Sequence, residues 1–68
     1  MPETAKVIEL MGTSTESWED AAQNALDDAD ETLENISGIE MISQTATVEN
    51  GEIVAYKTTT HVSFALDR

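Results

Sequence analysis

The chain has 68 residues, no cysteine and a formal net charge of −11, with 14 acidic side chains against Lys6, Lys57 and Arg68. Those figures leave room for one domain, exclude disulfides and thiolate metal sites, and argue against nucleic acid or an anionic membrane surface as partner, because such a charge repels phosphates. So short a chain buries only about 60% of its unfolded surface, so oligomerisation is the leading source of further stability.

There is no apolar run of 18 residues and no basic-then-apolar leader, so the expectation is a soluble, cytoplasmic protein. Strong acidity with few aromatics can mean disorder, but here the apolar residues are strictly periodic. A folded protein whose self-repulsion is screened by concentrated salt, at a range of ~3 Å near 1 M, fits better and points to a halophilic source.

Met1–Thr4 reads as a frayed terminus to a single domain spanning 1–68. Ala5 to Met11 mixes alternation with a short apolar run and is predicted as a strand, stopped by a turn at Gly12-Thr13-Ser14. Helical spacing follows. Trp18, Ala21, Ala22, Ala25, Leu26, Ala29, Leu33 and Ile36 recur at three and four residues and form one apolar stripe, opposite a face rich in Asp and Glu. Ser14 and Ser17 compete as N-cap; Ser17 is preferred because it precedes the stripe and has Asp20 three residues on, a near-capping-box. The alanine-rich stripe allows close approach by a sheet. No Lys or Arg accompanies Asp30, Glu31 and Glu34 near the helix C-terminus, where anions are disfavoured by ~0.3–1 kcal/mol each at low salt.

From Ile39 to Val48 the sequence alternates, with Ile39, Met41, Ser43, Thr45 and Thr47 expected on one face and Glu40, Ile42, Gln44, Ala46 and Val48 on the other. Asn50-Gly51 is a strong hairpin signal. The last strand should run from about Ile53 to Leu66, with Val54, Tyr56, Thr58, Thr60, Val62, Phe64 and Leu66 facing the helix. The order is β-α-β-β, an α+β unit with an antiparallel sheet on one amphipathic helix. A single helix leaves one face and the edges of that sheet open, which further copies would cover.

Few residues carry chemistry. Asp28 and Asp30 have D-x-D spacing, but Leu33 and Ile39 stand where a calcium loop needs its glycine and its bidentate Glu, and the segment reads as helix, so an EF-hand is rejected. Carboxylates of several subunits could still hold cations at an interface. His61 is the sole imidazole; Thr59 and Ser63 share its face, but no nucleophile motif surrounds any serine, which favours an interface or cavity-lining histidine. With Glu40 it is a candidate metal ligand, the possible ions being Mg, Ca or Na. Lys57 either pairs with one of the many carboxylates or meets an anionic or carbonyl-bearing ligand. Trp18 reads as core or interface packing. Gly12-Thr13-Ser14 is no phosphate loop, lacking both glycine-rich patterns. No nucleophile–base set, metal triad or cofactor motif is present, and no enzyme is expected.

The run V-x-E-L-x-G-T-S, the helix segment S-W-E-D-A-A-x-N-A-L, then L-E-N-I, N-G and the ending Y-x-x-T-x-x-V-x-F-x-L-D resemble the dodecin family over Val7 to Asp67. The resemblance implies a three-stranded antiparallel sheet wrapped around the helix and a hollow dodecamer. Family members that bind riboflavin or its phosphate (FMN) stack the flavin on an aromatic, usually Trp, and hydrogen-bond its pyrimidine edge from a glutamine. By the same resemblance the Trp position falls on Gly38, beside Ile39, and the Tyr-Gln pair on Tyr56 and Lys57. Losing stacking and the amide together implies an altered flavin site. The resulting expectation is a non-enzymatic shell that binds or stores a small molecule or ion. Its alternatives are a flavin-sequestering dodecin and a cation-stabilised shell with no organic ligand.

Overall fold

The computed structural model describes residues 4–66. Its elements are β1 (Ala5–Ser14), α1 (Trp18–Asp30), β2 (Ile36–Glu49) and β3 (Glu52–Ala65). They form the expected β-α-β-β unit, an antiparallel sheet of order β1-β3-β2 with the helix against it. The frayed-terminus expectation falls on Met1–Glu3, outside the described residues, and on Thr4, whose carbonyl accepts the Leu66 N–H at 3.0 Å.

Two boundaries differ from the sequence reading, each for a local reason. β1 does not stop in a turn at Gly12 but runs to Ser14, pairing Gly12 with Thr58 and Ser14 with Tyr56. Gly12 lies under the helix, where a Cβ would run into the Ala21 carbonyl. Its lack of a side chain therefore serves helix–strand approach rather than a turn.

The helix ends at Asp30, not Ile36. Leu33 N–H still bonds the Ala29 carbonyl at 2.9 Å, after which Asn35 adopts φ 64° and turns the chain into β2. Asparagine tolerates that left-handed conformation better than most residues. Leu33 and Ile36 keep a helical spacing in sequence but leave the helix in space.

Ser17 is the helix N-cap, as preferred, and Ser14 braces the turn before it. Ser17 Oγ accepts the Asp20 N–H at 2.9 Å. Ser14 Oγ accepts the Glu16 N–H at 2.8 Å and donates to Asp20 Oδ2 at 2.6 Å. The Asp20 carboxylate thus closes on Ser14 and ties the end of β1 to the first helical turn.

Ala21, Ala22, Ala25 and Ala29 are buried against β1 and β3. The even residues Thr58, Thr60 and Val62 of β3 form the other side of this core, each fully buried. The threonines keep their hydroxyls satisfied: Thr58 donates to the Trp18 carbonyl at 2.9 Å and Thr60 to that of Leu10 at 3.1 Å. Burial without a partner would cost ~1–3 kcal/mol for each.

β2 contains the third difference. Met41 pairs with Thr60 and Ser43 with Thr59, so Ile42 is an extra residue in a β-bulge. Such a bulge reverses the alternation beyond it. Ser43, Thr45 and Thr47 accordingly do not share a face with Ile39 and Met41. At the hairpin tip Asn50 (φ 52°) and Gly51 (φ 77°) are both left-handed, the pattern of a two-residue primed turn.

The helix covers β1 and β3 but hardly touches β2. It is 13 residues long against 14 for each hairpin strand. At 1.5 Å per residue it spans about 20 Å, whereas the strands reach about 45 Å. The hairpin therefore overhangs its cover. Val48, Ile53 and Val54 near the tip and Met41 and Ile42 on β2 remain exposed. The protomer is drawn out to 53 × 20 × 13 Å with a radius of gyration of 14.0 Å, against roughly 11 Å for a compact domain of this length.

Candidate functional site

The sheet face turned away from the helix carries the candidate residues in cross-strand rows. Because β3 is central, its odd residues from Lys57 to Ser63 have a neighbour on both sides. Ser63 lies between Val7 and Gly38, His61 between Glu9 and Glu40, and Lys57 between Thr13 and Thr45. Gly38 and Lys57 thus share a face, but their rows stand six β3 residues apart, about 20 Å at the rise of an extended chain. One small ligand cannot meet both on the same subunit. Ile39 and Tyr56 are out of phase with these rows: Ile39 pairs with Val62 and Tyr56 with Ala46 and Ser14. Within one chain the four positions do not form a single pocket.

Around Gly38 there is space rather than a platform. A cleft of about 270 Å³ is lined by Val7, Gly38, Ile39, Glu40, His61 and Ser63. A Cβ on Gly38 would meet only Ser63 Oγ, at 3.1 Å. Gly38 is thus not needed here for backbone conformation. A larger side chain would fill the cleft if that hydroxyl turned aside.

Lys57 is half-buried, and among the described residues no carboxylate lies within ion-pair distance of it. The expected partner from a surplus of acids is therefore not supplied within the described subunit. Two threonines, Thr13 and Thr45, flank it in register, offering hydroxyls beside an ammonium.

His61 is held between carboxylates. Its Nε2 lies 3.0 Å from Glu9 Oε1 and its Nδ1 4.0 Å from Glu40 Oε1. This joins the two candidate metal residues, His61 and Glu40, and adds Glu9, which the sequence reading did not single out. The missing signal was pairing register: Glu9 and His61 are 52 positions apart. Thr59 and Ser63 share the His61 face as expected, but the imidazole nitrogens engage the carboxylates.

Trp18 does not reach this face. Its indole N–H donates to the Thr45 carbonyl at 2.8 Å, and its ring meets Tyr56 edge-on with centroids 4.8 Å apart. It anchors the start of the helix to the uncovered part of the hairpin, in agreement with a packing role.

The fold, a long overhanging hairpin with a short helix over β1 and β3, recurs in proteins of known structure. Residues 4–67 match the Dodecin family. This chain is a dodecin. A curated relative, the calcium dodecin of Mycobacterium tuberculosis, is 34% identical over 61 residues, covering 90% of this chain and 86% of the relative. The crystal structure of that calcium-chelating protein, described with a novel calcium-binding site, superposes with a TM-score of 0.81 at 35% identity, covering 94% of this chain and 91% of the other. A point mutant of the Thermus thermophilus dodecin superposes more closely, with a TM-score of 0.92 at 31% identity over 98% of this chain and all of the other. Among the described residues of this dodecin no helix is long and apolar enough to cross a membrane.

Proposed function

We propose that this dodecin is the subunit of a hollow, twelve-subunit shell that binds or stores a small molecule or ion without catalysing a reaction, and that its flavin site is altered at Gly38 and Lys57. The observation that carries the reading is the placement of those two residues. They face the same way on rows about 20 Å apart, so a ligand touching both positions needs two copies of the chain. Neither supplies what holds a flavin: Gly38 offers no ring to stack on, and Lys57 offers a cation in place of an amide. The overhanging hairpin, with Val48, Ile53 and Val54 exposed, supplies apolar surface for the assembly. Self-association also completes the small core and protects the sheet edges. The shell is cytoplasmic, with neither nucleic acid nor membrane as partner at this charge.

The test is a titration with riboflavin and with its phosphate in molar salt, followed by flavin fluorescence. The proposal expects unchanged emission up to tens of micromolar. Quenching that saturates near one flavin per subunit would overturn it and make this a flavin-sequestering dodecin.

A second reading, a shell stabilised by Mg, Ca or Na ions with no organic ligand, is favoured by the −11 charge and by the similarity to a calcium dodecin. Chelator-induced dissociation would support it. Indifference to both chelator and salt would remove it.

A further inference from the structure

On the helix-free face of the sheet, Lys57 has no acidic partner among the described residues and Glu40 has only a distant basic one. Glu40 Oε1 lies 4.0 Å from His61 Nδ1, beyond hydrogen-bond length, whereas Glu9 holds Nε2 at 3.0 Å. One imidazole between two carboxylates balances at most one of them, so a negative charge is left over on this row. Lys57 stands four β3 residues away, about 13 Å. We infer that Lys57 of a second copy enters the cleft beside Gly38 and pairs with Glu40, across a two-fold axis that stacks two sheets on their helix-free faces. The inference rests on the self-association proposed above and not on the flavin reading.

The order of charges along the face selects the axis. Lys57, Thr59 and His61 follow one another on β3, with Met11 beside Thr59. An axis between the sheets, perpendicular to the strands at the Thr59 row, sets each Lys57 over the partner's acidic row, and the two contacts are equivalent as an isologous interface requires. An axis parallel to the strands would set Lys57 on the partner's Lys57 and acids on acids, which repels. The first arrangement also has an apolar centre, because Met11, 59% exposed, meets the partner's Met11. An apolar middle flanked by charged pairs is the usual anatomy of a specific interface.

The cleft accepts a lysine. It holds about 270 Å³ and is lined by Val7, Gly38, Glu40, His61 and Ser63 among others. It stays open because Gly38 projects no side chain. The lysine stem packs on Val7, itself exposed in the single subunit, while the ammonium reaches Glu40. Stacked sheets lie about 10 Å apart, a gap that a lysine and a glutamate bridge between them. Three strands over the ten paired residues of β1 make a face of about 14 by 34 Å. Two copies therefore cover roughly 1,000 Å² together, the lower bound for a specific contact and enough where the other contacts of a shell add to it.

Carbodiimide, which condenses an amine with a carboxylate and leaves no spacer, tests the pairing on the intact assembly in molar salt. A covalent dimer should form, and its digest should contain Lys57 joined to Glu40. Lys57→Gln and Glu40→Gln should each abolish that product. Charge reversal gives a second readout: Lys57→Glu should speed subunit exchange between labelled assemblies at least about tenfold, and adding Glu40→Lys should restore most of the loss. A twelve-chain species on native mass without the Lys57–Glu40 product, or a double reversal no slower to exchange than Lys57→Glu alone, would overturn the inference and leave the shell standing. A two-chain species carrying the product would support the inference and remove the shell. A monomer would overturn both.

Discussion

Gly12 passes so close beneath Ala21 that a single methyl group on the strand would run into the helix carbonyl. The contact couples β1 to the buried alanine stripe and sets the depth at which the helix lies on the sheet. Gly12→Ala should therefore lower stability by ~1–3 kcal/mol, the range for overpacking a close-packed core. At ~4–8 °C per kcal/mol for a domain of this size, a thermal melt will show it readily. A variant melting with the unmodified protein would mean that helix and strand separate at little cost.

The bond from Trp18 Nε1 to the Thr45 carbonyl joins the helix to a stretch of β2 that it otherwise hardly covers. Trp18→Phe keeps an aromatic beside Tyr56 but removes the donor. A loss of ~1 kcal/mol is expected, with a changed near-ultraviolet dichroism spectrum from the altered ring pair. Unchanged stability would show that water replaces the bond without cost.

On the proposed reading, Trp at position 38 and Gln at position 57 should together create flavin binding. At Gly38 an added Cβ meets only the Ser63 hydroxyl, which can rotate, so Gly38→Trp together with Lys57→Gln should fold and quench riboflavin at least tenfold more strongly than the unmodified protein. Either change alone should do less. A double variant that assembles yet leaves the flavin bright would show that other positions also exclude the ligand.

Salt should matter more than for a balanced protein. Asp28 and Asp30 stand in the last helical turn with no basic residue beside them, within a chain of net charge −11. Raising KCl from about 0.1 M to about 2 M shortens the screening length from about 10 Å to below 3 Å. The melting temperature is expected to rise by several degrees over that interval. A flat or falling profile would contradict the halophilic reading.

Much of this fold was legible because its signals are local. The alternation of β3 placed Thr58, Thr60 and Val62 on the helix side, Asn50-Gly51 marked the hairpin, and Ser17 marked the helix start. The errors came where one local pattern continued past a structural break. Leu33 and Ile36 extended the helical spacing beyond Asp30, although Asn35 was available as a left-handed stop. The alternation of β2 ran on through Ile42, because a bulge leaves no compositional trace in a strand with mixed residues on both faces. Gly12 resembled turn punctuation, and only the packed helix shows why a side chain is excluded. The site was less legible than the fold. His61 and Glu40 could be named singly, but their meeting with Glu9 depends on β3 lying between β1 and β2. The separation of Gly38 from Lys57 likewise follows from register, which the spacing of motifs along the chain does not specify.

Native mass spectrometry in a volatile salt of high ionic strength tests the central claim most directly. The account predicts one dominant species of twelve 7.4 kDa chains, carrying no flavin when purified. A folded monomer or dimer that persists at high salt would contradict the shell. A twelve-chain species retaining flavin would contradict the altered site.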